Sequence, residues 1–231
     1  NRDGILDERD VDGIDNDGNG YVDDFHGWDF IGQDNDPAPD DPVDQHGTKI
    51  MGIIGARGNN GKGVTGVCWE VSLMSLRVVP GTDGDREKVR RYYAATGKNI
   101  LHQAIAYAMK MGAMVVNCSF GNPEFDRGMY DLMARAGEQG VVFLAAAGNK
   151  GPAAGQTGVD LTRFPMYPAV LAGEEMRKLF RLPPLANVIS IMGSDANDNP
   201  VRMMGGSGEI CTNHGTPTVL PAMPGFKQKI I

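Results

Sequence analysis

The sequence predicts an α/β protein with a mostly parallel sheet and helices on both of its faces. Four apolar runs rich in Val, Ile and Met have the length and composition of strands: Val71–Val79, Ala113–Ser119, Val141–Ala147 and Asn187–Met192. Segments with helical periodicity separate these runs. Because strands that alternate with helices form βαβ units, we expect the four strands to share one sheet in a three-layer fold.

Two helices are predicted from the spacing of their apolar residues. The first has one apolar face, made by Ile100, Leu101, Ala104, Ile105 and Ala108. The second contains Leu132, Met133 and Ala136 and is expected to end at Gly137 or Gly140. Residues 151–186 are rich in Gly and Pro and include a basic patch at Arg177, Lys178 and Arg181, which predicts a surface excursion.

Charge divides the chain into two regions, although its 231 residues fit one large domain. Residues 1–45 hold 15 acidic residues against two Arg, a net charge of −13, whereas residues 46–231 carry a net charge of +6. An acidic segment of that density repels itself unless it is unfolded or holds cations. We therefore interpret 1–45 as an acidic, calcium-binding loop region and 46–231 as the core of the same domain.

Several classes of partner are excluded by composition. No basic stripe with interleaved aromatic residues is present, which argues against nucleic acid. No apolar run approaches the roughly 18 residues of a membrane span. The three cysteines include no Cys-x-x-Cys pair, which argues against a zinc site. Cys118 lies inside an apolar run and is interpreted as a small core residue.

Calcium is indicated by the spacing of oxygen ligands in the acidic region. Asp15, Asp17 and Asn19, followed by Gly20, match the first six positions of a calcium loop, with the Tyr21 carbonyl and Asp23 at the seventh and ninth positions. His26 stands at the twelfth position, so a complete EF-hand is not expected. The alternative is a solvated acidic turn. Three further acids, Asp29, Asp34 and Asp36, form a second candidate cluster.

A candidate general base is His46, in the stretch Gln45-His46-Gly47-Thr48. It lies between the acidic loop and the apolar run Ile50–Gly55, which has the character of a helix start. A serine hydroxyl is a weak nucleophile until a base such as histidine removes its proton. On the tripeptide His46-Gly47-Thr48 alone, the alternative is a surface histidine without a catalytic role.

From His46 onward an ordered set of blocks resembles the subtilisin-like serine proteases, or subtilases. The blocks are His46-Gly47-Thr48, Gly52–Ala56, Asn59–Val67, Leu73–Val78, Val115–Gly121, Ala146–Asn149, Tyr167-Pro168-Ala169, Asn187–Ile191 and Pro224-Gly225. Upstream, Gly13–Asp24 also resembles a loop of one bacterial branch. The resemblance implies a subtilisin-like fold and the hydrolysis of polypeptides through an acyl-enzyme.

The resemblance also implies roles for individual residues. His46 would be the general base and Asn149 would donate its side-chain amide to the developing oxyanion. Ser119, Phe120, Gly121 and Gly148 would line the substrate cleft, where an extended peptide pairs with an exposed main-chain edge. For Asn149 the alternative is a turn residue after Gly148. A secreted or cell-surface location and structural calcium follow from the same resemblance.

The sequence departs from the family pattern in three places. Lys49 and Met51 replace the usual second His and Ala, and Met51 could crowd the wall beside His46. No serine lies in a Gly-Thr-Ser context, and no Asp-Thr-Gly-type strand precedes His46. We therefore expect an internal fragment, incomplete at both ends and inactive as given. A catalytically dead peptide-binding protein and a calcium-dependent interaction module are the alternatives.

Overall fold

The computed structural model describes residues 11–39, 45–148 and 160–193, together with the backbone of residues 202–205 and 208–211. Two compact units divide between Gly112 and Ala113. In the described part of the chain, no helix combines the length and apolar character that crossing a membrane requires.

The first unit contains two short strands and three helices: β1 (Gly27–Asp29), α1 (His46–Gly55), β2 (Ser75–Arg77), α2 (Asp83–Thr96) and α3 (Ile100–Lys110). Strands β1 and β2 pair in parallel, with Gly27 opposite Ser75. Gly27 has a φ of 110°, and a Cβ there would overlap the main chain of Ser75. Only glycine therefore fits at the point where the two strands meet.

The core of the first unit forms between β1 and α3. Buried residues Trp28, Phe30 and Ile31 cluster with Ile100, Ala104 and Tyr107. The predicted apolar face of α3 is confirmed, because four of its five residues, Ile100, Ala104, Ile105 and Ala108, are buried. Tyr21 adds edge-on ring contacts to Trp28 at 4.9 Å and to Tyr107 at 4.8 Å, which ties the acidic loop to this core.

Helix α2 has a polar composition and is fixed mainly by its ends. Thr82 caps the first turn by accepting a hydrogen bond from the Asp85 N–H, and the Asp85 side chain accepts from the Thr82 N–H. This reciprocal capping box satisfies donors that the first turn leaves free. Gly97 ends the helix in the left-handed conformation, with a φ of 66°.

The second unit contains β3 (Val115–Cys118), α4 (Arg127–Glu138), β4 (Val142–Ala146), a short 3₁₀ helix (Ala169–Ala172), α5 (Glu175–Phe180), β5 (Val188–Ile191), β6 (Arg202–Gly205) and β7 (Gly208–Cys211). Strands β3, β4 and β5 form one parallel sheet in that order, and β6 and β7 pair with each other antiparallel. The predicted α/β class with parallel pairing is thus confirmed.

The first predicted strand is shorter than its apolar run. Of Val71–Val79, the structure forms a strand at Ser75–Arg77, which pairs with β1. The Arg77 carbonyl also accepts the Phe30 N–H at 3.0 Å, directly after β1. Nothing in the loop composition of residues 11–39 distinguishes β1 as a strand.

Helix α4 connects β3 and β4, as a parallel pair requires. Its N-cap, Asp126, accepts the Met129 N–H at 2.9 Å. The predicted apolar residues Met133 and Ala136 are fully buried, and the chain turns at Gly140 with a φ of 84°. Asn187 then joins the end of α4 to the sheet, because its Nδ2 donates to the carbonyls of Met133 and Val141.

Candidate active site

His46 is the first residue of α1, so the helix begins four residues before the apolar run that predicted it. The main chain around it is held by the helical hydrogen bond from the Lys49 N–H to the Gln45 carbonyl, 2.9 Å long. The side chain is exposed. An exposed imidazole is accessible to a reacting group, which general-base catalysis requires. Of the two departures nearby, Lys49 is exposed and Met51 is half-buried.

The predicted cleft residues of the second unit lie at the ends of neighbouring parallel strands. Ser119, Phe120 and Gly121 follow β3, and Gly148 follows β4 two residues after its end. Cys118 is opposite Ala145 in the register, so both segments leave the sheet at the same edge. Ligands of α/β proteins bind outside this carboxyl edge of the strands.

The segment 119–121 keeps its main-chain hydrogen-bonding groups available. Across the described residues, the N–H and C=O groups of Ser119, Phe120 and Gly121 have no main-chain partner. The Ser119 hydroxyl accepts the Asn117 amide at 2.7 Å, which holds the side chain rather than the backbone. Free main-chain donors and acceptors next to a strand are what an extended peptide uses in strand addition.

A second segment packs under this one, and the sequence motifs did not predict the contact. Asn122 and Tyr167 exchange two main-chain hydrogen bonds of 2.9 and 2.8 Å in an antiparallel bridge. A Cβ at Gly121 would lie 2.6 Å from the Met166 Cγ, so glycine permits this close approach. Tyr167 belongs to a block that carried the resemblance, but no local pattern in the sequence indicates its partner.

Asn149, the expected oxyanion donor, lies outside the described residues. The strand that leads to it is described up to Gly148. The Ala147 N–H donates to the Ile191 carbonyl at 2.8 Å, and Gly148 follows in the left-handed conformation with a φ of 80°. Gly148 is therefore the last described position before Asn149.

The predicted calcium residues divide into two groups. In the first group, Asp15, Asp17 and Asn19 share one turn: the Asn19 N–H lies 2.9 Å from Asp15 Oδ1 and 3.0 Å from Asp17 Oδ1, which brings these two oxygens near each other. Main-chain N–H groups, chiefly that of Gly20, lower the pKa of Asp15 below its ordinary value, against an opposing effect of desolvation. Ionised oxygen ligands of this kind suit a hard cation.

In the second group, Asp23 faces the start of the loop. Its carboxylate accepts the N–H groups of Asp12 and Gly13 at 3.0–3.2 Å. Tyr21 donates its N–H to Asn19 Oδ1 at 2.7 Å while its ring packs in the core. In the part of the chain that the structure describes, no three His, Cys, Asp or Glu side chains form a group that could hold a metal ion. The first group contributes two carboxylates and one amide, the oxygen donors that calcium prefers, whereas the Asp23 carboxylate is engaged elsewhere.

The acidic loop is anchored to the C-terminal end of α3. Asp24 Oδ2 accepts the Tyr107 hydroxyl at 2.6 Å and the Asn19 Nδ2 at 2.7 Å. Lys110 donates its ammonium to the carbonyls of Gly18 and Asn19 at 3.3 and 3.1 Å. Burial, followed by the hydrogen bond and charge of Asp24, raises the pKa of Tyr107 far above its ordinary value, so its hydroxyl stays a donor.

A buried ion-pair network at β2 was missed by sequence reasoning. Arg77 bonds Asp29 Oδ2 at 2.6 Å and Asp85 Oδ2 at 2.9 Å, and all three side chains are at least 92% buried. Asp29, considered above as part of a second calcium cluster, thus has a resident cation. Asp34 and Asp36 cap local turns by accepting the N–H groups two residues later. The Arg77–Asp29 pair joins residues 48 positions apart, a separation that no local motif spans.

Cys118 has the structural position predicted for it. It is the last residue of β3 and is 4% exposed. Burial raises the pKa of its thiol to about 12, so it remains protonated near neutral pH. A thiol of this kind is chemically inert, although it directly precedes the cleft segment.

Comparison with known families identifies the class of protein. The subtilase family model matches residues 8–213, and the chain therefore belongs to the subtilase family. The resemblance read from the ordered sequence blocks is thereby confirmed.

Individual relatives agree with this assignment. Thermitase of Thermoactinomyces vulgaris is 30% identical over 173 residues, which cover 75% of this chain and 48% of that protein. The PI-type proteinase of Lactococcus lactis subsp. cremoris is 34% identical over 131 residues, covering 53% of this chain and 6% of that protein. The chain thus spans about half or less of the length of these relatives.

A solved structure shows the same fold. MycP1 with its N-terminal propeptide removed is 21% identical and matches with a TM-score of 0.50 over 81% of this chain and 65% of that chain. At this identity the match establishes the fold alone.

Proposed function

We propose that this chain belongs to a subtilisin-like serine endopeptidase, which cleaves polypeptides through an acyl-enzyme. The observation that carries the proposal is the family match over residues 8–213, which includes His46 and the cleft segment. His46 acts as the general base, and the free main-chain groups of residues 119–121 bind an extended polypeptide by strand addition.

Asn149 is proposed to stabilise the oxyanion. Negative charge develops on the scissile carbonyl oxygen only near the transition state, so a prepositioned amide stabilises that state selectively. Asn149 follows Gly148, which lies two residues after the end of β4 at the carboxyl edge of the sheet, and this place in the chain supports the proposal. In the full-length protein, Asn149→Ala should lower kcat by about 10²–10³ with little change in KM.

A serine-directed phosphonate tests the proposed chemistry. We expect the full-length protein to be labelled and the 231-residue chain alone to remain unlabelled, because none of its serines lies in a Gly-Thr-Ser segment. His46→Ala should abolish labelling of the full-length protein, whereas His26→Ala, which removes another exposed histidine, should not. A full-length protein that resists the phosphonate would favour the catalytically dead peptide-binding alternative.

Calcium is proposed as a structural ion at the acidic loop, held by Asp15, Asp17, Asn19, the Tyr21 carbonyl and Asp23. The shared turn of Asp15 and Asp17 and the lowered pKa of Asp15 support it. The Asp23 carboxylate would have to leave the N–H groups of Asp12 and Gly13, or to be replaced by water. The ion would supply only stability, by neutralising the loop.

Thermal unfolding tests the calcium proposal. Calcium at about 100 times its Kd should stabilise the full-length protein by about 2.7 kcal/mol through mass action. Asp17→Ala should remove most of this gain, and Asp131→Ala, which deletes an exposed carboxylate on α4, should preserve it. A melting temperature that does not respond to calcium would reject the site.

A secreted or cell-surface location is proposed on the same grounds, since weak oxygen-rich calcium loops suit extracellular calcium concentrations. Fractionation of the native host, followed by detection of the chain, tests this location. Recovery of the protein only inside the cell would contradict it.

A further inference from the structure

Beside the cleft segment of the second unit lies a group of four aromatic side chains. Phe125 is its centre: its ring stacks on Phe180 at 4.0 Å with an interplanar angle of 26° and contacts Tyr167 at 5.4 Å and Tyr130 at 6.3 Å. Phe180 also meets Tyr167 edge-on at 6.3 Å. Aromatic pairs at these distances attract each other beyond the effect of their buried area. We call these four residues the aromatic clamp.

The clamp joins the predicted cleft segment, residues 119–121, to the segment that contains Tyr167. Phe125 follows residues 119–122 by three positions, and Tyr167 is the residue whose main chain pairs with Asn122. Between them, the Asn122 side chain accepts the Glu124 N–H at 3.1 Å and fixes the intervening turn. Movement of either segment would therefore separate the rings as well as the bridge.

Phe180 enters the clamp from the excursion between Tyr167 and β5, and that excursion is itself anchored. Phe180 is the last residue of α5, whose Met176 is fully buried. After it, the Leu182 N–H donates to the Met176 carbonyl at 3.2 Å, and the Tyr130 hydroxyl donates to the Pro183 carbonyl at 2.8 Å. The ring of Phe180 is thus held on both sides of its position in the chain.

Other side chains of α5 do not serve this purpose. Leu179 is 58% exposed, and Arg177 pairs with Glu174 at the surface. The basic patch predicted from the sequence therefore faces solvent, while Phe180 turns to the clamp. Phe180, the last residue of this six-residue helix, is half-buried, and its ring stacks on Phe125.

We infer that Phe180 is a positioning residue for the peptide-binding edge: by stacking on Phe125 and contacting Tyr167, it holds residues 119–122 in the geometry that pairs with an extended substrate. The inference rests on the proposed function. The edge binds the main chain of an extended polypeptide. The contribution of Phe180 to substrate binding therefore grows with the number of substrate residues that pair with the edge. A substrate too short to pair gains nothing from it.

Kinetics with two substrates test the inference in the full-length protein. For an extended hexapeptide, Phe180→Ala should raise KM by about three- to tenfold, the factor expected from loss of one aromatic pair, with kcat nearly unchanged. For a single-residue N-acetyl ester, KM should change less than twofold. Leu179→Ala, the neighbour on α5, should leave both substrates unaffected, and Phe180→Tyr, which keeps the ring, should restore the wild-type KM.

Hydrogen exchange supplies a readout that does not need turnover. In Phe180→Ala the amides of Asn122 and Tyr167 should exchange faster, while those of the β4 strand should keep their protection. Unchanged exchange at these amides, or an equal rise of KM for the hexapeptide and the ester, would overturn the inference. Failure of the wild-type protein to cleave either substrate would contradict the proposed function, on which the inference rests.

Discussion

At the scale of single residues, a glycine and a buried ion-pair network stabilise the pairing of β1 with β2. Gly27 lies where β1 and β2 approach, and its φ of 110° together with the adjacent Ser75 main chain excludes a side chain. Arg77 neutralises two buried carboxylates from β1 and α2. Both features belong to the first unit and support the strand pair that precedes α2.

Gly27→Ala is expected to be strongly destabilising, because it adds steric overlap to an unfavourable backbone conformation. Gly13→Ala is a matched control: Gly13 also has a positive φ, 79°, but no atom lies within 4 Å of its would-be Cβ. The control should cost about 1 kcal/mol from conformation alone, and Gly27→Ala should cost clearly more. Equal losses in urea unfolding would show that the overlap is absent.

Arg77→Ala should lower the free energy of unfolding by about 3–5 kcal/mol, because it leaves Asp29 buried without this cation and Asp85 with the half-exposed Lys88, 3.8 Å away. Arg90→Ala removes an exposed arginine of α2 that pairs with Glu87, and surface pairs contribute about 1 kcal/mol or less. Chemical denaturation of the two variants measures the difference. A small effect at Arg77 would mean that the network is solvated in solution.

Cys118 gives a prediction for pH. Its thiol has a pKa of about 12 when folded, above the value of 9.0 for a free thiol, so the folded state keeps a proton that the unfolded state releases. The associated stability is complete below pH 9 and is lost as pH rises from about 9 to 12. Cys118→Ala should therefore reduce the loss of stability over that range, which urea unfolding at several pH values measures. If the free energy of unfolding depended on pH in the same way for wild type and Cys118→Ala, the raised pKa of Cys118 would be contradicted.

At the scale of elements, periodicity predicted the parts that are amphipathic. The face of α3 and the core residues of α4 follow from apolar spacing, because each helix buries one side, whereas the three strands of the parallel sheet follow from their apolar composition. Helix α2 is polar, and its stability depends on the reciprocal contacts of Thr82 and Asp85. Strand β1 has three residues, and it is a strand because it pairs with β2, 48 residues further along the chain.

The capping box of α2 can be tested directly. Thr82→Ala removes the oxygen that accepts the Asp85 N–H and should cost about 1 kcal/mol. Thr82→Ser keeps that oxygen and should retain most of the stability. Because Asp85 also bonds Arg77, the loss on Thr82→Ala should be larger than in an isolated helix. A neutral Thr82→Ala would show that the ion pair alone positions Asp85.

At the scale of the whole molecule, ordered motifs were more informative than any single one. His46 beside Gly47 and Thr48 does not distinguish a base from a surface histidine, but the sequence of blocks through Asn187–Ile191 predicted the family that the comparison confirmed. The cleft segment was predicted by the same order. Its supporting contacts, Asn122 with Tyr167 and Phe125 with Phe180, join residues far apart in sequence and required the structure.

The central claim is that His46 is the general base of a subtilisin-like endopeptidase, and peptide hydrolysis by the full-length protein tests it most directly. We expect His46→Ala to reduce kcat/KM for an extended peptide to background, because an unactivated serine hydroxyl is a weak nucleophile. His26→Ala should retain wild-type kcat/KM. Wild-type turnover by His46→Ala, or no turnover by the unaltered full-length protein, would contradict the account.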